Sequence, residues 1–103
     1  MGEPSGLSFE FGGTVWEWRG PAPYHFVTVP EDASAQLDDL KSVLSYGWGV
    51  IPVRARIGGT EWTTSLFPKD GRYALPIKDA VRRAENLSPG SVVQVIMEPT
   101  KSL

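Results

Sequence analysis

The sequence predicts a mainly β fold: a small closed β-barrel with two short helices, in the order β-β-α-β-β-β-α-β. Three observations carry the prediction. Apolar and polar residues alternate over several short runs, the period of half-buried strands. Two segments share the grammar strand, proline, helix, glycine, strand. Eleven glycines and nine prolines in 103 residues cut the chain into short elements and tight turns. Four tryptophans, four phenylalanines and three tyrosines favour strands and fill a small core with few side chains.

Residues 1–6 read as a flexible tail, 7–98 as a single barrel domain and 99–103 as a second tail. Leu7, Phe9 and Phe11 alternate with Ser8 and Glu10, and Gly12-Gly13 then marks a bulge or turn. Thr14 to Arg19 resumes as a strand, with Trp16 and Trp18 on one face and Val15 and Glu17 on the other. Tyr24 to Val29 is the next strand. Pro30 opens a helix, where its missing amide costs nothing. Ala33, Leu37, Leu40 and Leu44 form its apolar stripe, and Gly47-Trp48-Gly49 stops it.

Val50 to Ile57 and Thr60 to Phe67 flank Gly58-Gly59, a two-residue hairpin signal. That register puts Ile51, Val53, Ala55, Ile57, Trp62 and Leu66 on one face and Arg54, Arg56, Glu61, Thr63 and Ser65 on the other. Pro68-Lys69-Asp70-Gly71 is a turn, and Arg72 to Leu75 a short strand. Pro76 opens the second helix, with Ile77, Ala80, Val81, Ala84 and Leu87 on one stripe and Asp79 paired with Arg83. Asn86 fits a left-handed cap. Ser91 to Glu98 is the last strand.

The two units run from Phe26 through Pro30 and Gly47 to Ile57, and from Tyr73 through Pro76 and Gly90 to Met97. Such a repeat implies that neither unit buries its apolar face alone. The second unit, Leu75-Pro76-Ile77 followed by Leu87-Ser88-Pro89-Gly90-Ser91-Val92-Val93, resembles the swapped-hairpin element of AbrB- and MazE-type proteins. An aspartate commonly follows the glycine in that element, where this chain has Ser91. A longer resemblance spans Phe9 to Glu98. Val50-Ile51-Pro52-Val53-Arg54-Ala55-Arg56-Ile57-Gly58-Gly59 and Trp62-Thr63-Thr64-Ser65-Leu66-Phe67-Pro68 are similar to the bacterial domain-of-unknown-function family DUF1905, as are Tyr73-x-Leu75-Pro76-Ile77-Lys78 and Val81-Arg82-Arg83-Ala84. The resemblance implies a double-split β-barrel and no particular chemistry. Two units in one chain imply a monomer.

Absent residue types exclude several chemistries. Without cysteine there are no disulfides or thiolate metal sites, which fits a reducing, cytoplasmic setting. Met1 to Gly6 has neither basic start nor apolar run, so no signal peptide is expected, and no run is long enough for a membrane helix. His25 is the single histidine, no nucleophile elbow or phosphate loop occurs, and Glu31-Asp32 and Asp38-Asp39 diverge on a helix. Catalytic residues, metal ligands and cofactors are therefore expected to be none. Glu10, Glu17, Glu61 and Glu98 are the strand carboxylates that a glycoside-type pair would need.

The most site-like set is Trp48, Arg54, Arg56, Trp62, Thr63, Ser65 and Arg72. Arginine forks, hydroxyls and an indole suit a small polar or anionic ligand, bound without catalysis. Arg56 opposite Glu61 also reads as a cross-strand pair, and Trp62 as core. A second reading is an AbrB-like DNA-binding or antitoxin-type regulator using Lys69, Arg72, Lys78, Arg82 and Arg83, which the net charge of −2 disfavours. A third is a cofactor-free enzyme with an aromatic-lined pocket involving His25 or Arg54.

Overall fold

A computed structural model describes residues 7–20, 24–45 and 49–101. Six strands, β1 (Phe9–Trp18), β2 (Tyr24–Thr28), β3 (Ile51–Ile57), β4 (Thr60–Lys69), β5 (Arg72–Ile77) and β6 (Val92–Pro99), close into an antiparallel barrel. Their order around it is β1-β2-β5-β4-β3-β6. Three helices, α1 (Glu31–Asp39), α2 (Lys41–Leu44) and α3 (Asp79–Glu85), join the strands. The single first helix expected from the sequence is broken at Leu40, whose φ of −108° and ψ of 7° leave the helical region. The apolar stripe survives the break, since Ala33, Leu37 and Leu44 are all buried. Gly47 and Trp48 lie outside the described residues.

The interior follows the strand alternation. Val15, Val27, Ile51, Val53, Leu66, Leu75 and Val95 are almost wholly inaccessible and form one core with Phe9, Phe11, Tyr73 and Met97. The hairpin register is the expected one: Ile57 faces Thr60, Arg56 faces Glu61 and Ala55 faces Trp62. Its two-residue turn has positive φ at Gly58 alone, the pattern of a type II′ turn.

Three local expectations are corrected. Gly12-Gly13 neither bulges nor breaks the strand: β1 pairs without interruption with β6 from Phe9 to Thr14, then with β2 from Val15 to Trp18. Gly13 points inward, where a Cβ would lie 2.5 Å from Val27 Cγ1. The glycine therefore serves close backbone approach where β1 changes partner. Pro76 does not open a helix but lies in β5, opposite Phe26. Beyond Ala74, β5 has lost its β4 partner, so the proline removes no ladder bond there, and Trp62 Nε1–H donates to the Pro76 carbonyl (3.1 Å) instead. The short α3 then begins at Asp79, which pairs with Arg82 (3.6 Å) rather than Arg83 and leaves only Val81 buried. Asn86 takes the left-handed cap, φ 59° and ψ 47°.

The repeat is a pseudo-twofold one strand longer than its sequence grammar. Exchanging β1, β2 and β3 with β4, β5 and β6 leaves the circular strand order unchanged. The registers obey it. Trp18 opposite Tyr24 corresponds to Lys69 opposite Arg72, and Phe11 opposite Val95 to Trp62 opposite Ala55. In the β2–β5 ladder, Val27 and Leu75 face each other across the axis. α1 and α3 leave opposite ends of that ladder.

Candidate functional site

Because Val15, Val27, Leu66 and Leu75 face the core, their strand neighbours Trp16, Phe26, Thr28, Phe67 and Ala74 face outward. The outer surface of β1, β2, β5 and β4 is therefore aromatic. Trp16 lies 4.8 Å from Phe26 between centroids, and Phe26 lies 5.3 Å from Phe67, edge to face. Trp18 and Tyr24, a cross-strand pair, stack at 6.2 Å with planes only 19° apart. They are also exposed, at 47% and 56%. Trp16 is held in place by its indole N–H, which donates to Thr28 Oγ1 (2.9 Å).

Cations close this surface on the β4–β5 side. The Asp70-Gly71 turn has positive φ at both residues (52° and 78°), a type I′ geometry that makes Lys69 and Arg72 direct cross-strand partners. Lys69 Nζ stands 5.8 Å from the Trp16 ring centroid, within cation–π range. A groove of about 520 Å³ runs between Trp16, Thr28 and Ala74 on one side and Lys69, Asp70 and Arg72 on the other. It adjoins the aromatic recess at Trp16 and Lys69, and a second recess against α1 at Arg72 and Tyr73. Both cations have exposed anionic neighbours, Asp70 at 3.4 Å from Lys69 and Glu31 at 3.8 Å from Arg72. Exposed pairs of this kind are worth roughly 0–1 kcal/mol, so an incoming anion displaces them at little cost.

The residues singled out from sequence do not gather in one place. Arg72 lines the groove. Trp48 lies outside the described residues. Trp62 is buried at 7% exposure with its indole bonded, so its ring offers no face to a ligand. Arg54, Arg56, Thr63 and Ser65 share the expected outer face of the β3–β4 hairpin. There Arg54 is held by two carboxylates, Glu98 at 3.1 Å and Glu61 at 3.5 Å. Two of the strand carboxylates thus converge, with a guanidinium between them. Arg56, exposed, has no ion pair among the described residues and borders a smaller groove of about 300 Å³ with Glu61 and Ile96. Of the second unit's basic cluster, Lys69 and Arg72 are side by side, Arg82 is tied to Asp79, and Lys78 and Arg83 are exposed.

Sequence reasoning missed Trp16, Trp18, Tyr24, Phe26, Phe67 and Lys69 as a set. Two signals were present. Trp16 and Trp18 alternate on one strand face, and Asp70-Gly71 is a tight-turn dipeptide that sets Lys69 opposite Arg72.

Two titratable groups sit inside the barrel ends at pseudo-equivalent positions, His25 and Tyr73. His25 is buried, with Nε2 3.8 Å from Glu17. The Tyr73 hydroxyl donates to Asp38 (3.4 Å), and its amide donates to Ser34 Oγ, which donates in turn to the Val29 carbonyl. Burial, with the Asp38 charge and hydrogen bond adding to it, raises the Tyr73 phenol above its ordinary 10.0. Among the described residues no three His, Asp or Glu side chains converge on a metal position, and no helix is long and apolar enough to cross a membrane.

No curated protein matches the chain. Residues 11–97 match the family model described as Domain of unknown function (DUF1905). That span holds all or part of every strand of the barrel and both walls of the groove, and the chain belongs to the DUF1905 family.

Proposed function

We propose that this barrel is a non-catalytic binding module for a small anionic ligand that carries a planar ring, held in the groove between Trp16 and the Lys69–Arg72 pair. One observation carries the reading: two cations held only by exposed ion pairs line a groove with the Trp16 ring, next to an aromatic recess that shares Trp16 and Lys69 with it. Rings supply area and stacking, and Lys69 and Arg72 supply charge-assisted hydrogen bonds to an anion. The volume falls within the range of small-ligand sites. The paired state of Arg54 directs the reading away from the hairpin face, while Arg72 is common to both.

Thermal unfolding with 1-naphthyl phosphate as probe tests this. At about ten times Kd a ligand adds about 1.4 kcal/mol of stability, which for about 100 residues is a rise in Tm of about 5 °C or more. We expect that rise in the native protein and its loss in the Lys69→Ala/Arg72→Ala double variant. An equal rise in the double variant contradicts the reading.

A DNA-binding role for the basic residues around α3 is the second reading. It rests on Lys78 and Arg83 being exposed at the α3 end of β5, in the same unit as Lys69 and Arg72 at its other end. A net charge of −2 opposes it, because duplex DNA is held mainly through phosphate contacts.

A further inference from the structure

We infer that the outer face of β6 is a docking surface for a second copy of this chain, giving a twofold dimer. The internal repeat closes the barrel within one chain and leads to the expectation of a monomer. The pairing joins two finished barrels and completes neither. Because Val93, Val95 and Met97 face the core, Val92, Gln94, Ile96 and Glu98 face outward. Val92 is 82% exposed and Ile96 44%, so two large apolar side chains stand open on one strand face. Ile96 is also the centre of a cross-strand row. Its register partner on β1 is Glu10, and on β3 it is Arg56. Each lies one strand spacing away, about 4.8 Å. Both are exposed, and neither has an ion pair among the described residues. The row therefore reads acid, isoleucine, base, with both charges unmet.

That order selects the occupant and its orientation. A twofold axis between the two faces, close to parallel with β6, sets Ile96 on Ile96 of the second copy. It also sets each Glu10 opposite Arg56 of the other copy, so one ion pair is made twice. An axis running across the strands would set Arg56 on Arg56 and Glu10 on Glu10, which like-charge repulsion opposes. The smaller groove, about 300 Å³ and bordered by Arg56 and Ile96, gives the incoming Glu10 carboxylate a socket. Arg54 already holds the two acids that line it, Glu61 and Glu98, so Arg56 is the cation left for Glu10. Three strands about 4.8 Å apart, over about 20 Å of β6, offer less than a standard interface, so the dimer is weak and concentration-dependent. The groove of the anionic-ligand reading begins at Trp16, where β1 has already left β6 for β2, so pairing leaves it open.

Sedimentation equilibrium of the intact protein from about 10 μM to about 1 mM, a span that brackets weak association, tests this. We expect the mass to rise from 11.3 kDa towards twice that value. Ile96→Lys changes an exposed side chain and should stay monomeric throughout. Glu10→Arg and Arg56→Glu alone should each weaken the dimer about tenfold or more, since each creates two like-charge contacts. The double variant Glu10→Arg/Arg56→Glu should regain the native association, which a misfolded chain could not do. A native protein that stays monomeric at the highest concentration overturns the proposal. A dimer that survives Ile96→Lys also overturns it, as does a double variant that associates no better than the single ones.

Discussion

Gly13 is the residue on which the barrel's closure most visibly turns. It stands where β1 leaves β6 and joins β2, and its missing side chain lets Val27 approach. Val27 is fully buried at the centre of the β2–β5 ladder and has no free space to yield. Gly13→Ala is therefore expected to cost about 1–3 kcal/mol through overpacking. Trimming the obstruction relieves it, so Gly13→Ala/Val27→Ala should lose less stability than the two single variants summed, measured by urea unfolding. Simple additivity would mean that the contact is not what the glycine serves. Tyr73 makes a residue-scale prediction in pH. Its folded phenol titrates above its unfolded one, so both states are protonated below pH 10. Above that, the unfolded chain releases its proton first and stability falls until the folded phenol also titrates. Denaturant midpoints from pH 9 to 11 should show that decline, and Tyr73→Phe should flatten it.

At the scale of elements, the two hairpin turns have different roles. Gly58 takes φ +60° with the Glu85 carboxylate packed against it, and Thr60 Oγ1–H donates to the same carboxylate (2.5 Å). The turn is thereby pinned to α3. Gly58→Ala combines a left-handed alanine with a collision, for a cost of about 1–2 kcal/mol. Gly59 faces open space, and Gly59→Ala should change stability by no more than about 0.5 kcal/mol. Equal effects in urea titrations would contradict the turn geometry. The Asp70-Gly71 turn instead aligns Lys69 with Arg72. Reading Pro68 to Gly71 as one turn hides that alignment, because the proline suggests an end to the strand that the structure continues through Lys69. The strands themselves were legible, since β3 and β4 alternate cleanly around a Gly-Gly dipeptide. The helix starts were not. Proline stands next to a helix start only at α1, as the Pro30 N-cap before Glu31, and in β5 it occupies a stretch of edge that no sequence pattern reveals.

At the scale of the molecule, the pseudo-twofold explains both the barrel and its asymmetry. Equivalent outward positions hold Trp16 and Phe67, Trp18 and Lys69, Tyr24 and Arg72, and Phe26 and Ala74. At the last three of these pairs the first repeat supplies rings, and the second supplies two cations and a small residue. Neither half makes the groove alone. The site was therefore less legible than the fold. Its walls lie in β1, β2, β4 and β5, and only barrel closure brings Trp16 and Lys69 within 5.8 Å. The arginines of the β3–β4 hairpin are closer in sequence and easier to notice, but Glu98, forty-four residues from Arg54, neutralises the nearer one. Nuclear magnetic resonance of the 15N-labelled protein, titrated with 1-naphthyl phosphate, compares the two surfaces in one experiment. The account predicts shifts concentrated at the Trp16 indole N–H group and the amides of Lys69 to Tyr73, with the β3 strand unmoved. Shifts centred on Arg54 and Arg56, or none at saturating probe, would contradict it.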